Sequence, residues 1–174
     1  MSDNKISFAP INAEKFLRLL DPSPGAEFDF RTFDDSGEKN KKITRTIHGQ
    51  LKDAREEIAR MQEKGAGVYV TVNETDGEGI LASNITHVRA VFVVLDGSPL
   101  EPLLSGSWLK PHIVVESSPG RYHAYWLCEG VPLSEFRKIQ KALIKKFDGD
   151  KSVHDLPRVM RLPGYFHKKS DVLR

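Results

Sequence analysis

Asp96 stands where a carboxylate can do chemistry. It closes the apolar run Ala90–Leu95 (AVFVVL), and Gly97 and Pro99 break the chain just beyond it. Such a run predicts a central strand buried on both faces. A carboxylate at the exposed end of a buried strand suits metal or phosphate chemistry. For one Asp alone, a cap on the Gly97 turn is the plainer reading.

A second group lies in SSPGRYHAYW, Ser117–Trp126. The Pro-Gly turn opens backbone N–H groups. Arg121 and His123, two residues apart on a strand, share one face, and Ser118 lies on the turn before them. Hydroxyl, guanidinium, imidazole and amides are donors suited to a triphosphate. An ordinary hairpin with a half-buried His and an exposed Arg explains the segment about as well.

The third group is HDLPRVMRLPGYFHKK, His154–Lys169. Asp155 precedes Arg158 and Arg161, which sit a helical turn apart, and Lys168 and Lys169 follow. A carboxylate with clustered cations is what a metal–phosphate site needs. Arginines clamp phosphate in two-point fashion and lysines supply point charge. The rival reading is a surface ion pair between Asp155 and Arg158. His154, Asp155 and His167 form only a thin metal cluster. The segment Thr71–Gly79 (TVNETDGEG) offers Asn73 and Glu74 as a pocket wall, but a polar turn explains it better. No nucleophile elbow and no Ser-His-Asp set is present, and Cys128, beside Trp126 and Leu127, reads as structural.

These groups need a scaffold to position them. Asn12–Leu20 has helical spacing, with Asn12 as N-cap. Glu27–Phe33 alternates as an edge strand, and Asp34–Lys42 reads as a solvated hairpin tip. Gly49–Lys64 carries an apolar stripe of Leu51, Ala54, Ile58 and Met61 and is the clearest helix. Gly67–Asn73, Val88–Leu95, Pro111–Glu116 and Tyr122–Cys128 read as strands. Leu133–Phe147 is a second long helix, and Asp150–Lys169 an ordered loop with short structured pieces. The order αβ, αβ, β, β, β, α, loop predicts the α+β class with a mixed or antiparallel sheet. It argues against a doubly wound nucleotide fold, and no Gly-rich phosphate loop appears.

The chain has 174 residues, enough for one domain with a core that needs no staples. Its 26 basic and 24 acidic residues nearly balance, so net charge alone names no partner. The part from Lys138 onward is basic and suited to a polyanion. One cysteine excludes an internal disulfide and a multi-cysteine zinc site and fits a reducing cytosol. The N-terminus lacks the apolar core of a signal peptide, and no run reaches membrane-spanning length. Residues 1–174 are therefore expected to be a single cytoplasmic domain without membrane contact. Its close on KKSDVLR, directly after a motif, suggests the N-terminal piece of a longer protein.

Taken together, AVFVVLDG, SSPGRYHAYW and DLPRVMRLPG resemble, in that order, the three motifs of the archaeo-eukaryotic primase superfamily. The likeness is greatest to plasmid replication primases of the RepB-prime type and to primase–polymerases of mobile elements. The flanks RTFDD, GVYVTVNETDG and RLPGYFHKK are also similar. The resemblance implies an RRM-like palm sheet with an N-terminal αβ subdomain, synthesising primers on single-stranded DNA. It implies two divalent ions, Mg2+ or Mn2+, held by Asp96 and Asp155, and His123 as the nucleotide-contacting catalytic histidine with Ser118 and Arg121 beside it. Arg158, Arg161 and Lys168 would meet the nucleoside triphosphate or the template backbone. A helicase or initiator module, fused or in trans, is the implied partner.

One position departs from the family pattern. An Asp is expected two residues before Asp96, and this chain has Val94. Either another carboxylate (Glu116, Glu101 or Glu74) substitutes, or one metal suffices, or the domain binds nucleotide and single-stranded DNA without catalysing. A rolling-circle nuclease is a weaker rival, because it wants a His pair and a helical Tyr.

Overall fold

Two larger antiparallel sheets and two two-stranded ribbons make up the described strands. The computed structural model describes residues 12–36, 38–106, 109–167 and 172–173. In chain order the elements are α1 (Ala13–Leu20), β1 (Phe28–Asp34), β2 (Arg45–Gly49), α2 (Leu51–Glu63), β3 (Ala66–Thr71), β4 (Glu74–Thr75), β5 (Ile85–His87) and β6 (Ala90–Asp96). They continue with α3 (Glu101–Ser105), β7 (Ile113–Ser118), β8 (Arg121–Leu127), α4 (Leu133–Phe147), β9 (Val159–Arg161), β10 (Phe166–His167) and β11 (Val172–Leu173). The first sheet runs β2-β1-β3-β9 and the second β6-β8-β7. This is the expected α+β class. No helix among the described residues is long and apolar enough to cross a membrane.

Local signals explain most elements. Asn12 caps α1 by accepting from the Lys15 N–H at 2.8 Å. Leu51, Ala54, Ile58 and Met61 are the buried stripe of α2. Helix α4 ends on Asp148, in the left-handed region at φ 51°. Rings then lock the second sheet to its helices. Phe92 packs against Tyr125 and Phe136, with centroids 6.2 and 5.9 Å apart, and Trp126 stacks on Phe147. Burying a ring of this size stabilises by roughly 1.5–3 kcal/mol.

Two strand assignments change. The Glu27–Phe33 segment is not an edge strand: β1 pairs with β2 on one side and β3 on the other. Its polar inward residues are satisfied rather than solvated, as Thr32 donates to the Ile43 carbonyl at 2.7 Å. Strand β6, conversely, is largely buried but lies at the margin of its sheet, with β8 in the centre. An apolar run reports burial, not the number of strand neighbours. Side chain and loop complete the open edge. The Phe92 N–H donates to Gln140 Oε1 at 2.8 Å, and Gln140 Nε2 donates to the Val153 carbonyl at 3.2 Å. The Asp150 N–H donates to the Val94 carbonyl at 2.9 Å. Gly149 is pressed so close that a Cβ there would lie 2.3 Å from Val93 Cγ2.

Replacing Gln140, which is fully buried, by Leu leaves the Phe92 N–H and the Val153 carbonyl without their partner. Leaving a buried polar group unsatisfied costs about 1–3 kcal/mol, so Gln140→Leu is expected to lose about 2–4 kcal/mol in urea unfolding. A loss near zero would show that the β6 edge does not depend on this side chain.

Candidate nucleotide site

A cavity of about 480 Å³ lies where the two sheets meet. Strand register accounts for its second-sheet wall. Val94 faces His123 across β6 and β8, and Asp96 faces Arg121. Ser118 of β7 faces Arg121 from the other side. Alternation then puts Val94, Asp96, Arg121 and His123 on one face. The first sheet contributes Tyr69 and Arg161, and Arg158 enters from the residue just before β9. Six of the residues expected in a site, Asp96, Ser118, Arg121, His123, Arg158 and Arg161, therefore line one cavity.

Each guanidinium already has a carboxylate. Arg121 Nε lies 2.8 Å from Asp96 Oδ1, with both side chains more than half exposed. A pair so wet is worth little and exchanges readily. Arg158 pairs with Asp155 and donates to the Ser152 carbonyl, while its Nε is buried with no partner. Arg161 donates to both oxygens of Asp35, at 3.0 and 3.2 Å, and to the Tyr69 hydroxyl at 2.6 Å. That hydroxyl donates to Asp35 at 3.1 Å. Burial, with the Asp35 charge added, pushes the Tyr69 phenol up to about 12.

Asp35 is the exception to the solvated reading of Asp34–Lys42, whose described residues from Ser36 onward are exposed. It is 2% exposed. Gly67 makes the room, because a Cβ there would fall 2.5 Å from the Asp35 oxygens. Only Gly at position 67 hints at this partner in the sequence.

His123 carries no proton on its second nitrogen at neutral pH. Burial and the Arg161 charge hold its pKa down at about 4. Its Nδ1 is buried without a hydrogen-bond partner. A neutral imidazole offers one donor and one acceptor to whatever fills the cavity.

Other expectations fall elsewhere. Asp155 stands behind Arg158 and does not line the cavity. Glu74 lines a separate cavity of about 590 Å³ with Arg89 and Cys128. Asn73 is a buried bracket between the Arg89 N–H and the Leu156 carbonyl, not a site wall. Glu116 faces away from His123 and accepts from the Gly120 N–H at 3.1 Å. Neither Glu74 nor Glu116 replaces the carboxylate absent at Val94. Lys168 and the His167 side chain lie outside the described residues. Asp150 was not anticipated. Its backbone is tied to Val94, the Ser152 N–H donates to its carboxylate at 2.8 Å, and this bond lowers its pKa. The Asp-Gly-Asp after α4 was the available signal.

The residues present do not fit a two-metal centre. Val94 supplies no oxygen, and Asp96 is the single carboxylate among the residues that line the cavity. Among the described residues no three His, Cys, Asp or Glu side chains form a group able to hold a metal ion.

Residues 38–174 match the family model described as the RepB DNA-primase N-terminal domain. Among solved structures, the AEP domain of the cyanophage S-2L primase-polymerase superposes with a TM-score of 0.70 and 21% identity, over 91% of this chain and 84% of that one. The catalytic domain of primase RepB′, solved in complex with initiator DNA, gives 0.62 and 19% over 92% and 81%. A structure of primase RepB′ gives 0.63 and 20%, over 90% of this chain and 51% of that one. No curated protein matches the chain significantly.

Two outcomes follow from the geometry. Asp35→Ala leaves Arg161, 13% exposed, without its counter-charge, and such a break costs about 3–5 kcal/mol. Urea unfolding is expected to show a loss of that order; a loss under about 1 kcal/mol would make the pair dispensable. For His123, the unfolded chain takes up a proton first as pH falls. Its contribution is intact above pH 6.5 and is lost between 6.5 and about 4. His123→Asn is expected to flatten the stability–pH curve across that window, and an unchanged curve would place the acid loss elsewhere.

Proposed function

This chain belongs to the RepB DNA-primase N-terminal-domain family, and on that premise we propose that it is the nucleotide-handling core of a DNA primase or primase–polymerase. Its reaction would be nucleotidyl transfer, making primers on a single-stranded DNA template. The carrying observation is the gathering of Ser118, Arg121, His123, Arg158 and Arg161 around one cavity beside Asp96. Arg121 is the phosphate ligand of choice, because its bond to Asp96 is exposed and exchangeable. Ser118 and the turn amides continue the donor array. His123, neutral, orients the nucleotide by hydrogen bonds without adding charge. Arg161, fixed by Asp35, shapes the wall and stacks over Tyr69.

The family implies Mg2+ or Mn2+. Asp96 and Asp155 are the ligands the sequence points to, with Asp96 on the cavity wall and Asp155 behind Arg158. Because the side chains as they stand make no metal cage, what they do is bind and orient nucleotide.

Val94 favours a second reading: a weakened primase module that holds nucleotide or single-stranded DNA for a fused or partner helicase or initiator. In either reading a plasmid or mobile-element replication protein of the cytoplasm is the setting.

The deciding measurement is incorporation of labelled nucleotide on single-stranded DNA with Mg2+ or Mn2+, alongside calorimetric ATP binding. Under the first reading the chain incorporates nucleotide, and Asp96→Asn loses about 100-fold or more. ATP binding without turnover, with turnover appearing in Val94→Asp, supports the second. Absence of ATP binding and of incorporation in every form overturns both.

A further inference from the structure

The polar face of the first sheet carries a row of residues that runs beyond the nucleotide cavity. Register lines up Thr46 of β2, Arg31 of β1, Tyr69 of β3 and Arg161 of β9 in one row. Phe33 lies two residues from Arg31 on the same face. The opposite face of these strands (Phe30, Val68, Val70, Met160) is core.

Cations and rings alternate along this row. The Arg31 guanidinium lies 4.8 Å over the Phe33 ring. Phe33 meets Tyr69 edge-on at 5.2 Å. The Arg161 guanidinium lies 4.7 Å over Tyr69, and Tyr69 and Arg161 are also cavity wall. The row therefore leads from the cavity across β3 and β1 to the exposed Thr46. Its two arginines differ in charge balance. Arg161 is neutralised by Asp35. Arg31 makes no direct salt bridge among the described residues; the charge of Asp29, two residues away on the same strand, reaches it only through space, and its Nε is buried without a hydrogen-bond partner.

We infer that the Arg31–Phe33–Tyr69 row is the seat of a single strand of nucleic acid entering the cavity, with a phosphate on Arg31 and a base against Phe33. This deepens the template part of the proposed function and rests on it. Positive charge without a direct salt bridge, set beside π-faces, is the combination that holds an unstacked strand: the charge takes the backbone and any base can stack. A duplex would hide its bases from Phe33. The continuity of the row with the cavity aims the strand at the nucleotide.

The test is fluorescence anisotropy of a labelled oligothymidylate over a salt series, with ATP binding followed in parallel. Arg31→Gln is expected to weaken oligonucleotide binding and to make the log–log salt slope shallower by about 0.7, the value of one phosphate contact on a single strand. Phe33→Ala is expected to weaken it about tenfold, as for loss of one stacked base. Thr46→Lys, at an exposed position of the same row, is expected to tighten binding and steepen the slope; a gain of this kind cannot come from misfolding. ATP affinity should stay unchanged in all three.

Oligonucleotide binding that ignores both Arg31→Gln and Thr46→Lys overturns the inference, and so does equal competition by duplex DNA. If the parent chain binds ATP but no oligonucleotide, the row falls and the nucleotide reading stands. If the row variants behave as stated while ATP neither binds nor is incorporated, the row stands and the primase reading falls.

Discussion

A strand buried on both faces but paired on one side only must still satisfy the hydrogen-bonding groups of its second edge. Strand β6 is in that position, and its solution organises the molecule. Gln140 reaches from α4 to the Phe92 N–H. The turn after α4 lays Gly149 and Asp150 against Val93 and Val94. Buried backbone groups almost always find partners, so α4 and the segment after it are not free to sit elsewhere. From there the chain enters β9, which joins β3 through the register Tyr69–Arg161. The Val72 N–H donates to the Arg158 carbonyl at 3.1 Å, and the Leu162 N–H to the Val68 carbonyl at 3.0 Å. One open edge thus joins the two sheets and carries two arginines into the cavity between them.

Solvent access then sorts three ion pairs of similar chemistry into different roles. Coulomb attraction grows as water is excluded, and so does the cost of leaving a charge alone. Arg121 and Asp96 are wet and part easily. Arg158 is intermediate, held by Asp155 and the Ser152 carbonyl. Arg161 is held by both oxygens of a buried carboxylate and by Tyr69, so its position is structural. The order in which these cations can be yielded to a phosphate is Arg121, Arg158, Arg161. The same fixed Arg161 charge helps to keep His123 neutral.

Features coded by short-range pattern were legible in the sequence. The period of α2 and α4, the apolar run of β6 and the Pro-Gly turn before Arg121 state their own structure. Asp96, Ser118, Arg121 and His123 could be named because alternation and turn position place them, whereas Arg158 and Arg161 were named for their clustered charge and lie just before and on a short strand rather than a helical turn apart. What stayed hidden depends on distant partners. Asp35 and Arg161 are 126 positions apart, and nothing local in DDSGEK marks one Asp as buried. Strands β2 and β9 are five and three residues long and lack apolar runs; they exist because β1 and β3 have edges to offer. Asp150 drew no notice because its importance lies in its backbone N–H.

Val94 shows how little of the fold depends on a side chain that the family pattern marks as departing. It is half-buried, faces His123, and its carbonyl rather than its side chain meets Asp150. Any residue that tolerates a strand preserves those bonds. The electrostatics are more sensitive. Arg121, Arg158 and Arg161 each already have a carboxylate, and Asp150, exposed, feels only the longer-range charge of Arg158. Among the described residues that line the cavity Asp96 is the single carboxylate, and surplus negative charge is what draws a divalent cation into a protein site. An Asp at position 94 would sit one pleat from Asp96 on the same face and create the surplus. With Val there, the cavity has a single carboxylate, already paired with Arg121, and is rich in hydrogen-bond donors.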